Sequence, residues 1–126
     1  MAGTRFTFAG GGGSELTGHL EAPEGTPRGW AIFAHCFTCG KDSRAAVHIA
    51  RALSRAGIGV LRFDFAGTGL ASAAEEEVSF ASDVDDLRAA AEAMAAAGMP
   101  PALLVGHSLG GTAAIVAAAA LPDVAA

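Results

Sequence analysis

The spacing of apolar residues along the chain changes several times, and each change marks an element. Residues 4–8 alternate apolar and polar side chains in strand fashion. The glycine run 10–13 makes a flexible connection to a second, hairpin-related strand over 15–21. A loop carrying Pro23, Gly25, Pro27 and Gly29 precedes the apolar run 30–34, which reads as a buried strand ending at His35. From about Ser43 the period lengthens: Ala46, Ile49, Ala50 and Leu53 form one helical stripe, and Gly57 suits its C-terminal stop. Residues 58–63 are the next strand, ending in Asp64. Gly67, Gly69 and the acidic run Glu75, Glu76, Glu77 mark a long exposed loop. Ser82 with Asp85 resembles a capping box, behind which Val84, Leu87, Ala91 and Met94 keep helical spacing until Gly98. Pro100 and Pro101 lead into a strand over 102–105, followed by an alanine-rich helix.

Two opening strands followed by β-α-β-α-β-α predict an α/β fold: about five strands, mostly parallel after the initial hairpin, with three helices on both faces. In such sheets the chemistry gathers beyond the carboxyl ends of the parallel strands. His35, Asp64 and Ser108 each stand at such an end.

Composition narrows this picture. At 126 residues the chain holds one domain at most, and its 52% hydrophobic content argues against disorder. About a quarter of the chain is alanine, so that total overstates the large side chains. A net charge of −5 supplies no basic footprint for nucleic acid. The first residues contain no apolar core of a secretory leader, which points to the cytoplasm, and Cys36 and Cys39 are there expected as reduced thiols. Residues 93–122 contain His107 as their one ionisable side chain, and residues 106–110 match the membrane motif G-x-x-x-G. Gly98, Pro100 and Pro101 interrupt that stretch and the rest is mostly alanine, so no membrane segment is expected.

The candidate chemistry centres on Gly106-His107-Ser108-Leu109-Gly110-Gly111, which sits between a strand and a helix. Gly-x-Ser-x-Gly at such a junction is the signature of a nucleophile elbow: a tight turn holds the serine in a strained conformation with its hydroxyl presented above the sheet. Gly106 and Gly110 are required to be small so that strand and helix can approach. Short patterns of this kind also arise by chance as plain turns, but the flanking strand and helix favour Ser108 as nucleophile. A serine hydroxyl nucleophile needs a base, and all four histidines, His19, His35, His48 and His107, precede Ser108. The order His35, Asp64, Ser108 echoes a chymotrypsin-like triad, but that enzyme is a double β-barrel, so the echo is coincidence. His107 reads as a turn residue and His48 as a helix-surface residue.

Other constellations are weaker. Cys36 and Cys39 form one C-x-x-C pair, two ligands short of a tetrahedral zinc site, which leaves a thiol redox role as the remaining alternative. Asp64 with Gly67 and Gly69 lacks the βα placement of a dinucleotide fingerprint. Neither a metal nor an organic cofactor is implied.

Residues 33–42, 61–69 and 106–111 together resemble an α/β-hydrolase. The likeness is to the serine aminopeptidase-type hydrolases, and within them to a subgroup often fused to an OsmC-like domain. It runs from about Phe6 to the C-terminus. Two departures stand out: Leu70-Ala71-Ser72 follows Gly69 where relatives tend to place a polar residue, and the chain closes at Val124-Ala125-Ala126, where a sixth strand should begin.

The resemblance implies that residues 1–126 are the N-terminal part of one hydrolase domain. Ser108 would be the nucleophile, and an Asp or Glu and then a His would follow it in sequence. The backbone N–H groups of Phe37 and Leu109 would form the oxyanion hole, with His35 and Asp64 structural near the site. The substrate would be a small-molecule ester, thioester or peptide-like acyl compound. Residues 1–126 alone are expected to be hydrolytically silent or nearly so. They are also expected to self-associate, through an uncovered edge at residues 103–105.

Overall fold

The computed structural model describes residues 3–35, 41–65 and 73–126, the stretch 73–79 by its backbone alone. Five strands, β1 (Gly3–Ala9), β2 (Glu15–Glu21), β3 (Gly29–Ala34), β4 (Ile58–Phe63) and β5 (Leu103–Gly106), form one sheet in the order β1-β2-β4-β3-β5. β1 and β2 are an antiparallel hairpin, and β2 joins β4 antiparallel with Gly18 opposite Phe63. β3 runs parallel to β4 and to β5, pairing Ile32 with Leu61 on one side and with Leu104 on the other. The fold is the five-stranded α/β sheet, parallel after its opening hairpin, that the period changes anticipate.

Three helices cover the sheet: α1 (Arg44–Arg55), α2 (Ala73–Ala96) and α3 (Leu109–Ala118). The strand side chains alternate between two cores. Ala31, Phe33 and Val60 pack with Ala46 and Ala50 of α1 on one face. On the other, Phe8, Leu16, Ile32, Leu61 and Phe63 pack with Leu87, Ala90 and Met94 of α2 and with Ala113 and Ala117 of α3. Small residues on α1 and α3 let both helices lie close against the strands.

Ser43 starts α1 by accepting the Ala46 N–H at 3.3 Å, and Gly57 stops it at φ +89°. The buried line of α1 is Ala46, Ala50 and Ser54, whereas Ile49 lies at its edge, 37% exposed. Three members of the expected stripe, Ala46, Ala50 and Leu53, thus face the sheet, and the Ser54 hydroxyl extends the buried line by donating to the Ala22 carbonyl.

Helix α2 departs further from expectation. It begins at Ala73, so Glu75, Glu76 and Glu77 lie on helix rather than in a long loop, and Ser82 and Asp85 are interior positions and not a cap. Alanine and glutamate are strong helix formers, and neither glycine nor proline interrupts residues 71–97. The helix ends where the sequence places its stop, at Gly98 with φ +83°.

The outer side of β5 is not bare either. The chain turns after Pro122, and its last residues return beside β5: Ala125 N–H donates to Ala102 at 2.7 Å and Leu104 N–H to Ala126 at 2.9 Å. The expected uncovered edge is thus partly paired. Among the described residues no helix is long and apolar enough to cross a membrane.

Candidate active site

Strand β5 leads directly into the Gly-x-Ser-x-Gly turn. His107 N–H donates to the Ala34 carbonyl at 3.0 Å, extending the β3–β5 ladder one residue past the strand. Ser108 then takes φ 58°, ψ −122°, the one positive φ among the described non-glycine residues. A side chain in that region of backbone space costs of order 1–3 kcal/mol and persists only where the surroundings impose it. Gly110 N–H bonds the His107 carbonyl at 3.0 Å and Gly111 N–H bonds that of Ser108 at 2.9 Å, so α3 starts without a connecting loop.

Both flanking glycines are sterically required. A Cβ on Gly106 would lie 2.3 Å from the Gly111 Cα, and one on Gly110 would lie 2.2 Å from the Ala34 carbonyl oxygen. The turn is pressed between its own helix and the end of β3. Ser108 is solvent-exposed, and its side chain makes no capping hydrogen bond. Leu109 is the first residue of α3, so its N–H has no intrahelical acceptor and lies at the positive end of the helix dipole.

His35, at the end of β3, is buried. Its Nε2 accepts the Phe65 N–H at a long 3.5 Å, and its ring packs on that of Phe65 with centroids 4.8 Å apart. Asp64 accepts the Lys41 N–H at 2.9 Å, and Lys41 Nζ lies 3.7 Å from its other carboxylate oxygen. These contacts bind β3, β4 and the start of the α1 segment together beside the elbow. His107 and His48 are exposed, and His19 is half-buried on β2, 3.6 Å from Glu21. Phe37, Cys36, Cys39, Gly67 and Gly69 lie outside the described residues. Among the described residues no group of three or more His, Cys, Asp or Glu could hold a metal ion.

Two charged features went unread in the sequence. Arg62 stands inside the apolar strand β4 with only 5% of its side chain exposed. Its Nη1 donates to the Lys41 carbonyl at 2.6 Å and to Asp42 Oδ1 at 2.9 Å, and its Nη2 lies 3.5 Å from Glu21 Oε1. The Asp42 carboxyl is held below its ordinary value by its hydrogen bond to the Lys41 ammonium and, beside it, by Arg62, against a smaller opposing effect of desolvation.

The second feature is on α2. Asp83 and Asp86 lie on its buried side, and Asp86 accepts the Gly11 N–H at 3.0 Å, fastening the β1–β2 turn to the helix. Burial, and then the nearby Asp86 carboxylate, push the Asp83 carboxyl up to about 7. Asp83 Oδ1 is buried without a hydrogen-bond partner. The signal for both features was present: a lone charge in a β-run, and two aspartates at helical spacing with Leu87 and Ala90.

Comparison with known proteins fits this geometry. Residues 25–126 match the family described as serine aminopeptidase, S33. The esterase domain of a Rhodothermus marinus protein is 42% identical with a TM-score of 0.77, over 98% of this chain and 48% of that one. An a/b serine hydrolase without lid from Xanthomonas campestris is 29% identical with a TM-score of 0.81, over 97% of this chain and 58% of that one. Dienelactone hydrolase from Anabaena variabilis, 24% identical with a TM-score of 0.74 over 98% of this chain, shares the fold. The chain thus spans 48% to 60% of the length of these solved relatives. No curated protein matches it.

Proposed function

The chain belongs to the serine aminopeptidase S33 family of α/β-hydrolases, and from that premise we propose that it carries the nucleophile half of a serine hydrolase in which Ser108 attacks an acyl substrate. The observation that carries this reading is the backbone of Ser108, held at φ 58° between β5 and α3 with no room for a side chain at Gly106 or Gly110. A plain surface turn has no reason to maintain such strain on a non-glycine residue, whereas a nucleophile presented above a sheet requires it.

In the proposed reaction the Ser108 Oγ attacks the acyl carbon while a base takes its proton, and a tetrahedral intermediate with a negative oxygen forms. The Leu109 N–H, unpaired within α3 and backed by the helix dipole, is one donor to that oxygen, and the Phe37 N–H is the second. Collapse expels the alcohol, thiol or amine and leaves an acyl-Ser108 ester that water then hydrolyses. The base and its acidic partner are assigned to positions after Ser108 in the full-length protein, following the order of the fold. An ester is the favoured substrate class, because the 42%-identical relative is an esterase domain.

Hydrolysis of p-nitrophenyl acetate by the full-length protein, compared with Ser108→Ala, tests the reading. Loss of turnover by about 10³-fold or more is expected when a triad serine is removed. Equal rates in both proteins would reject Ser108 as nucleophile.

A further inference from the structure

Helix α1 carries a charge pattern that neither the packing of the sheet nor the hydrolytic chemistry uses. Arg44, His48, Arg51 and Arg55 recur at helical spacing, and all four are exposed. With about 100° of turn per residue they form one narrow ridge, on the far side of the helix from Ala46, Ala50 and Ser54. The ridge is roughly 16 Å long at the usual helical rise. α1 holds three of the chain's eight lysines and arginines and none of its thirteen acidic residues. Arg28, exposed and donating to the Ala56 carbonyl at 2.9 Å, adds a cation just past its C-terminal end. The molecule as a whole carries −5, so the ridge stands against the sign of the rest.

Helix stability does not account for this row. Arg55 in the last turn suits the helix dipole, but Arg44 in the first turn opposes it. Arg51 and Arg55 are four apart, a like-charge spacing that weakens a helix. Among the described residues none of Arg44, Arg51 and Arg55 forms an ion pair. Glu21 and Glu24 line a groove beside Arg51 and Arg55 without pairing with them. Glu21 is engaged elsewhere, 3.5 Å from Arg62 Nη2 and 3.6 Å from His19 Nε2. The carboxylates that would balance the ridge are missing from its own helix.

We propose that the outer ridge of α1 is a docking surface for an acidic polypeptide segment, whose carboxylates, spaced about one helical turn apart, meet Arg44, Arg51 and Arg55. A guanidinium takes a carboxylate by two parallel hydrogen bonds, which gives each contact direction as well as charge. The overall charge selects the class of partner. An anionic membrane or a nucleic acid spreads its charge wider than the ridge and is repelled by the acidic remainder of the molecule. A short acidic segment touches the ridge alone. The surface is separate from Ser108: α1 packs on one face of the sheet and α3 on the other. It therefore does not depend on the serine-hydrolase reading.

The test uses the full-length protein and a fluorescein-labelled helical peptide with glutamate at every turn, its binding read by fluorescence anisotropy. Binding should weaken as salt rises, and the same peptide with glutamine in place of glutamate should not bind. Arg44→Gln, Arg51→Gln and Arg55→Gln should each raise the dissociation constant roughly two- to fivefold, and the triple variant by about tenfold or more. Arg88→Gln, on the opposite face of the sheet, should leave it within about twofold. Circular dichroism and p-nitrophenyl acetate hydrolysis, both expected to match the wild type, show that the variants are folded.

No binding of the glutamate peptide by the wild type, or equal binding by the folded triple variant, would overturn the proposal. So would tighter binding to phosphatidylserine vesicles or to a single-stranded oligonucleotide that the triple variant loses, since the ridge would then serve another class of partner. If the triple variant does not fold, the three single variants decide in the same way: unchanged affinity in all of them overturns the proposal.

Discussion

Gly110 and Ala34 touch so closely that any side chain at position 110 would collide with the Ala34 carbonyl oxygen, at 2.2 Å from a Cβ. The contact locks the first turn of α3 to the end of β3 and leaves Ser108 no alternative backbone path. Position 106 is equally closed, against Gly111 of the same turn. Gly111, by contrast, has only ordinary contacts, the nearest at 3.5 Å. Gly106→Ala and Gly110→Ala should each destabilise the protein by about 2 kcal/mol or more, since the colliding atoms are backbone and must move as a unit. Gly111→Ala, inside a helix, should be neutral or stabilising by up to about 1 kcal/mol. Urea denaturation of the three variants checks the ranking, and similar values for all three would contradict the packed turn.

Strain at Ser108 gives a second expectation. Glycine accepts the observed φ of 58° without cost. Ser108→Gly should therefore raise stability by about 1 kcal/mol while abolishing ester hydrolysis. Ser108→Ala, which keeps a Cβ, should remove activity without that gain. A less stable glycine variant in the same denaturation assay would show that the turn is not strained.

Asp83 predicts a pH dependence. Its folded-state value of about 7 lies above the ordinary 3.8 that the unfolded chain would show. The folded form therefore prefers the neutral acid. Its contribution is fully present below about pH 4, is lost as the pH rises through 7, and is constant above that. Asp83→Asn removes this titration and should flatten stability between pH 4 and 7. At pH 8 it should exceed the wild type by on the order of 2 kcal/mol. Denaturation midpoints at pH 5 and pH 8 provide the check. An unchanged pH slope in the variant would mean that Asp83 is charged and accommodated where it lies.

Much of this arrangement was legible in the sequence because it rests on local rules. Strands β3, β4 and β5 are short apolar runs bounded by turn residues. The Ser43 cap and the Gly57 and Gly98 stops carry their usual chemistry. The elbow announces itself because two glycines and a serine at fixed spacing are a steric necessity.

The misreadings came from patterns that fit more than one structure. Ser82 and Asp85 have the spacing of a cap, yet they sit inside a helix whose alanine and glutamate content carries it back to Ala73. Ile49 fits the helical stripe but lies at its edge, 37% exposed, because the sheet is met most fully by positions 46, 50 and 54. Arg62 and Asp83 went unread because their roles depend on groups distant in sequence: Arg62 on Glu21, Lys41 and Asp42, and Asp83 on the burial of its side of α2. Local periodicity gives no information about which charges meet across a fold.

The exposed apolar side chains of α3 lead to one more expectation. Ile115 is 76% and Val116 47% exposed, on a helix with no charged residue. Residues 1–126 expressed alone should self-associate through this face, and Ile115→Lys with Val116→Glu should shift the population toward monomer. Light scattering at several concentrations measures it. A monodisperse wild-type monomer would show that this face is tolerated in water.

The nucleophile assignment is tested most directly by reaction with a fluorophosphonate probe, followed by peptide mass spectrometry of the full-length protein. The adduct should fall on Ser108 and disappear in Ser108→Ala, with Ser43, Ser54 and Ser82 unmodified in both. A stoichiometric adduct on any other serine, or an unreactive Ser108 in a protein that hydrolyses esters, would contradict the account.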